Sequence, residues 1–386
     1  MSRAELAGRI NGWLHRETGK QFGLDERAIG RWERGTVSVP SGHYRAALRA
    51  VLGVGSDAEL GFGSAAQPAE PPAWPAETTG PPTVDAIRAM VTSVHVADRK
   101  LGGGRLYSSV VGYLQREVAQ ALFAPGSSAR VYAAAASLTE IAGWMAHDSG
   151  RDVDAGGHFD GAYRLALAAG SAALAANMCA SMSHLASQLG QYQDALRIAD
   201  VGLERASTDG GIARVTARLH AMRATALAHH GDRRGCLDAL GRAELALDGS
   251  DDHEHAPWSA HFDEGSLAAE SAHALHAIND LLPAERQARS VLELRCGDRV
   301  RARAFGRLTL AGILIDANEP DEAADMGREV ALVAPELSSA RVRTRLGELA
   351  QAVRGTPSSP ASTMFLDRMA VLDQGRAPEA TPPWPV

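Results

Sequence analysis

Ser183-His184-Leu185-Ala186-Ser187-Gln188-Leu189-Gly190-Gln191-Tyr192-Gln193-Asp194-Ala195 carries a spacing that recurs through most of the chain. A small residue stands seven positions before Gly190, and another stands five after it. Gly190 is one of five loop anchors. The others are Gly150, Gly231, Asn279 and Asn318, and the successive separations are 40, 41, 48 and 39 residues. Seven before each anchor come Gly143, Ser183, Ala224, Ala272 and Ala311, and five after come Ala155, Ala195, Cys236, Ala284 and Ala323. All ten are small. Twelve after the anchors, Ala162, Gly202, Ala243, Val291 and Val330 are small or modest. Such a pattern predicts two antiparallel helices that cross closely, because a small side chain on each lets the backbones approach. Repetition of the unit predicts a stack of helix pairs wound into a superhelix with a concave face. The 48-residue interval has room for the polar loop Gly249 to Pro257.

Composition agrees with an all-α fold. The chain has 386 residues, 45% apolar but only 5% aromatic, and runs of β-branched residues in period two are nearly absent. Arginine carries almost all positive charge, since Lys20 and Lys100 are the only lysines among 39 basic residues. Net charge is −7, yet residues 1–56 hold nine basic and five acidic side chains, which directs any nucleic-acid contact to that segment. Cys179, Cys236 and Cys296 show no ligand spacing and are expected to be buried, reduced thiols of a cytoplasmic protein. No secretory h-region follows Met1. The uncharged stretch Leu165 to Gln193 contains Asn177, His184, Gln188, Gln191 and Gln193, so it reads as a buried helix pair and not as a membrane span.

Over residues 129–372 the small–Gly–small spacing resembles the tetratricopeptide repeat, with helices a few residues longer. The resemblance implies that positions 13, 6, 3 and 2 before each anchor line the concave face. They include Asn177, Arg218 and Ser266 in one row, and Trp144, His184, Thr225 and His273 in the next. His147, Ser187 and His276 form a third, beside Asp148, Gln188 and His229. From these, Trp144, Asn177, His184, Gln188, Arg218, Thr225, His273 and His276 are the expected groove for a peptide or small-molecule effector.

The N-terminal segment, residues 1–62, reads as a three-helix bundle. Ser2 and Glu5 form a capping box before Leu6, Ile10, Trp13 and Leu14. Asp25 caps a short helix with Ile29 and Trp32 on one side and Glu26, Arg27, Gly30, Arg31 and Arg34 on the other, ending at Gly35. Pro40 and Ser41 open a third helix through Leu48 to Leu52, closed by Gly53. Ser2 to Ala7 together with Ile29 to Gly35 resemble the second and third helices of the Cro/repressor-type helix-turn-helix. That resemblance places the Asp25 helix in a major groove of a double-stranded DNA operator. Glu26, Arg27 and Gly30 then meet base edges, and Arg31 and Arg34 meet phosphates. The family has a further helix before the segment matched by Ser2, so a start upstream of Met1 is expected, and Asn11–Phe22 is an insertion relative to the family's tight turn.

Between the two lies Gly63 to Pro82, with six prolines and no hydrophobic period, the expected linker. A helical connector follows over 83–128, interrupted at Gly102-Gly103-Gly104. Without a preceding strand or a GK[ST] string, this triple glycine reads as a helix–helix turn. Residues 373–386 are an expected disordered tail with a short helix before them at Phe365–Leu372. The Asp251–His255 cluster reads as a solvated loop, and no catalytic string occurs, so neither metal, cofactor nor enzymatic role is expected. The combination resembles the helix-turn-helix/repeat regulators of high-GC Gram-positive bacteria. It implies a homodimeric transcriptional regulator with an effector groove; the alternative is an interaction scaffold that no longer binds DNA.

Overall fold

A computed structural model describes residues 1–18, 22–33, 40, 42–54, 60, 81–101, 103–208, 212–249, 262–295 and 299–374. Its chain divides into two compact units, Met1–Ala73 and Trp74–Val386, so the division falls inside the Pro-rich segment. All regular structure among the described residues is helical, and no helix there is long and apolar enough to cross a membrane.

In the first unit, α1 (Arg3–Thr18), α2 (Glu26–Glu33) and α3 (Gly42–Leu52) surround a small core of Ile10, Leu14, Leu24, Ile29 and Leu48. Both expected caps form: Ser2 Oγ accepts from the Glu5 amide at 3.2 Å, and Asp25 Oδ1 accepts from the Ala28 amide at 2.8 Å. The Asn11 side chain donates to the Leu24 carbonyl at 2.9 Å and accepts from the Leu24 amide at 3.1 Å, which pins the connection between α1 and α2. Arg3 and Glu33 join the two helices by an exposed ion pair of 2.7 Å. The expected end of the helix at Gly35 lies outside the described residues.

The second unit opens with α4 (Val84–Leu101), a 3₁₀ turn at Gly103–Arg105, α5 (Tyr107–Tyr113), a π turn at Leu114–Val118 and α6 (Ala119–Phe123). The helix pairs follow. They are α7 (Ala129–Asp148) with α8 (Asp152–Ala168), α9 (Ala172–Gln188) with α10 (Tyr192–Thr208), and α11 (Ala213–His229) with α12 (Arg233–Asp248). Next come α13 (Glu264–Ala277) with α14 (Leu281–Leu294), α15 (Val300–Asp316) with α16 (Pro320–Val333), and α17 (Ala340–Arg354) with α18 (Pro360–Gln374).

Every anchor read from the period adopts a left-handed backbone: Gly150, Gly190, Gly231, Asn279 and Asn318 have φ of 77°, 75°, 77°, 58° and 63°. Gly and Asn tolerate that conformation, so the anchor residue is what lets the chain leave one helix and start the next. All ten flanking small positions are buried. At Gly143 the reason is plain, because a Cβ there would sit 2.5 Å from the Phe159 ring.

Three features depart from expectation. The connector belongs to the array's unit, because α4 packs on α7 and α15. Far from a short Phe365–Leu372 segment, the last helix runs from Pro360 to Gln374; the Ser359 and Ser362 side chains cap it reciprocally, accepting from each other's amides at 2.8 and 3.1 Å. The superhelix also closes on itself. Helix α17 returns to α7, the Gly104 amide donates to the Ser338 carbonyl at 3.2 Å, and Ser339 Oγ donates to Asp148 at 2.6 Å across 191 residues of sequence.

Candidate functional site

Closure turns the concave face into a cavity of about 410 Å³, joined by residues common to both with a second of about 290 Å³. The first helix of each pair supplies most of the wall. Trp144, Asn177, His184, Gln188, Arg218 and His273 line the larger cavity, and Thr225 and His276 line the smaller one with His184, Gln188 and His273. The eight groove positions are thus brought together. Asp148 and Ser266 also reach the larger cavity, and Ser187 and His229 the smaller. His147 does not line either; it is buried against Asp152, with Nδ1 and Oδ1 2.6 Å apart.

Glu140, which the repeat rows pass over, is the hub of one end. It is 8% exposed, and burying a carboxylate is costly unless donors replace its water. Here Asn177 Nδ2 donates to both oxygens at 3.2 and 3.1 Å, Ser181 Oγ donates at 2.5 Å, and Arg218 Nη1 lies at 3.3 Å. Arg218 also donates to Asn177 Oδ1 at 2.5 Å and Ser181 Oγ at 2.8 Å, and its guanidinium lies 5.6 Å from the Trp144 ring centre. Asn177 and Arg218 are therefore committed to each other. Asn177 orients the wall and has no spare amide for a peptide backbone. The signal was present in sequence as one carboxylate within the otherwise uncharged run Val131–Trp144.

Three further arginines are tied down. Arg295, buried, forks onto both oxygens of Asp263 and donates to Ser266 Oγ at 2.7 Å, while Arg299 reaches Asp263 at 3.0 Å. Arg301 bridges the closure: it grips Asp98 of α4 with bonds of 2.8 and 2.6 Å and Asp148 of α7 at 3.1 Å. This planar, bidentate geometry suits guanidinium–carboxylate pairing. His95 and Asp98 place α4 itself in the cavity wall.

One turn along α7 from Glu140, from Trp144 onward, the wall is imidazole-rich. The rings of Trp144 and His184 lie 5.1 Å apart, and those of His147 and His184 5.9 Å apart. His184 Nδ1 lies 3.6 Å from Glu270. Burial alone would raise the Glu270 carboxyl, but His184, His273 and Arg218 bring it below its ordinary value. Burial, assisted by Arg345, pushes His273 down to about 3, and burial with Arg341 pushes His147 down to about 4. Both are neutral imidazoles at physiological pH. His184 and Ser187 line these cavities, and their Nε2 and Oγ atoms are buried and find no hydrogen-bond partner among the described residues, whereas buried polar atoms normally have one.

In the N-terminal unit, Glu26 is exposed at the start of α2. Gly30 is buried and follows Ile29, which belongs to the core of this unit. Arg27 and Arg31 fall within α2 but their side chains, like the whole of Arg34, lie outside the described residues. So does the Asp251–His255 loop. Cys179 and Cys236 are buried thiols pushed up to about 11 by burial; Cys296 is outside the described residues. No family model and no curated protein matches the chain.

Proposed function

We propose that the chain is a ligand-responsive transcriptional regulator. Its segment 1–62 binds a double-stranded DNA operator as a homodimer, and its helical array senses a small molecule or short peptide. The observation that carries the sensing half is the cavity itself. Its volume falls within the ~300–1,000 Å³ range of small-molecule sites, and its wall sets apolar and aromatic residues such as Trp144, Met222 and Phe305 among many polar and charged side chains. His184, on its wall, and Ser187, on the wall of the smaller cavity, have buried atoms without a hydrogen-bond partner among the described residues. Support for the DNA half is the resemblance of Ser2–Ala7 and Ile29–Gly35 to a helix-turn-helix, and the excess of nine basic over five acidic residues in 1–56. Because α4 follows directly on the linker and lines the cavity, a ligand that shifts α4 acts on the chain leading to the DNA-binding segment.

The test is fluorescence anisotropy of the full chain on DNA from its own upstream region across a salt series. The reading expects affinity that falls steeply with salt. It expects Arg27→Ala to lose about 1–3 kcal/mol at one operator position. Salt-independent or absent binding leaves the interaction scaffold in its place.

A further inference from the structure

Seven arginines and four carboxylates line the larger cavity, in a chain whose net charge is −7. Arg214 donates to the Phe262 carbonyl at 3.3 Å, and Arg218, Arg295, Arg299 and Arg301 are consumed by carboxylates. Arg341 and Arg345 are not. They stand four residues apart on α17, so their side chains share one helix face. Among the described residues neither has a carboxylate within ion-pair distance. Arg341 donates to the neutral Gln188 Oε1 at 2.8 Å, and its guanidinium lies 5.1 Å from the Phe305 ring centre. Arg345 makes no hydrogen bond or ion pair among the described residues. The groups around them do not cancel their charge. Asp148 and Asp152 attract Arg341 only from a distance, Glu348 does the same for Arg345, and Arg301 adds repulsion. Burial pushes Arg341 down to about 10 and lowers Arg345 as well. Two like charges at this spacing destabilise a helix, and here both residues line the cavity that Phe305 and Trp144 also line.

We infer that the Arg341–Arg345 end of the cavity is a site for the carboxylate or phosphate head of a small anionic ligand, whose apolar body lies against Phe305, Met222 and Trp144. Guanidinium groups present planar pairs of donors that match either head. Neutral His273 beside them has Nε2 3.3 Å from Thr309 Oγ1, which leaves Nδ1 as the further ring nitrogen. The inference rests on the proposed sensing role of the array and narrows its ligand to an anion.

A matched pair of probes tests it: 4-phenylbutyrate and its uncharged amide, titrated into the full chain by calorimetry, with inorganic phosphate as a head-only competitor. The acid is expected to bind roughly tenfold or more tightly than the amide, the worth of a charge-assisted hydrogen bond, and phosphate to compete with it. R345Q should erase the preference without lowering the melting temperature, because it removes a charge that the folded protein does not pair. Equal binding of acid and amide, an unchanged preference in R345Q, or a lower melting temperature for R345Q would each overturn the assignment. Equal binding with salt-dependent DNA affinity intact sinks the anion site alone. A clear acid preference without DNA affinity sinks the regulator and leaves the site standing. If no probe binds, the cavity is not a ligand site and both the sensing role and this inference fall.

Discussion

The two ends of the cavity use the same residue type in opposite ways. At the Glu140 end, Arg218 is locked to a buried carboxylate and to two side chains that share it, Asn177 and Ser181. At the α17 end, Arg341 and Arg345 stand without a counter-ion in ion-pair range among the described residues. A guanidinium whose charge and donors are consumed inside the protein holds the wall in shape. One whose charge is left over can still be spent on something that enters, and polar lining alone does not tell these apart.

Removing the hub tests the locked end most severely. Glu140→Ala leaves Arg218 partly buried without its partner and should cost about 3–5 kcal/mol of stability, read from the urea midpoint by circular dichroism. Glu140→Gln, which keeps the shape but not the charge, should cost less. A loss under about 1 kcal/mol for the alanine variant would show that water already screens the pair and that the two ends are alike.

Acid titration probes the packing behind the wall, where His147 is buried. The folded pKa of His147 is about 4 and the unfolded value is near 6.5, so between these the unfolded chain binds more protons. The resulting stability is present above about pH 6.5 and lost as pH falls towards 4, on the order of 2 kcal/mol at pH 5. His147→Gln should flatten that slope between pH 6.5 and 5; an unchanged slope would assign it to other groups, His273 first among them. Smaller still is the effect expected at an anchor, where Asn279→Ala strains a left-handed residue with φ 58° and should cost about 1 kcal/mol. Smallest is Arg345→Gln at the open end, expected within about 0.5 kcal/mol of the wild type in plain buffer.

The repeat was legible because its constraints are local. A left-handed anchor and two small flanking residues are set by backbone conformation and helix-to-helix distance, and both leave a mark at fixed spacing. The eight groove positions followed from that register. What escaped was the sixth pair, α17 and α18. Gly355 holds φ −79° instead of a left-handed conformation, and Glu348, seven residues before it, is not small. With that pair went the cationic end, since Arg341 and Arg345 sit on α17. Closure escaped for a different reason. Arg301 meets Asp98 across 203 residues, and no spacing rule reaches that far.

Closing the array has a consequence for how this protein can change over generations. An open solenoid can gain or lose a unit by duplication or deletion, since each unit touches only its neighbours. Here the Gly104–Ser338, Asp148–Ser339 and Asp98–Arg301 contacts join the two ends at fixed separation. Adding or deleting one unit between them would pull all three apart at once and open the chamber, so the number of helix pairs is frozen, and the lining of the chamber can drift only by substitution.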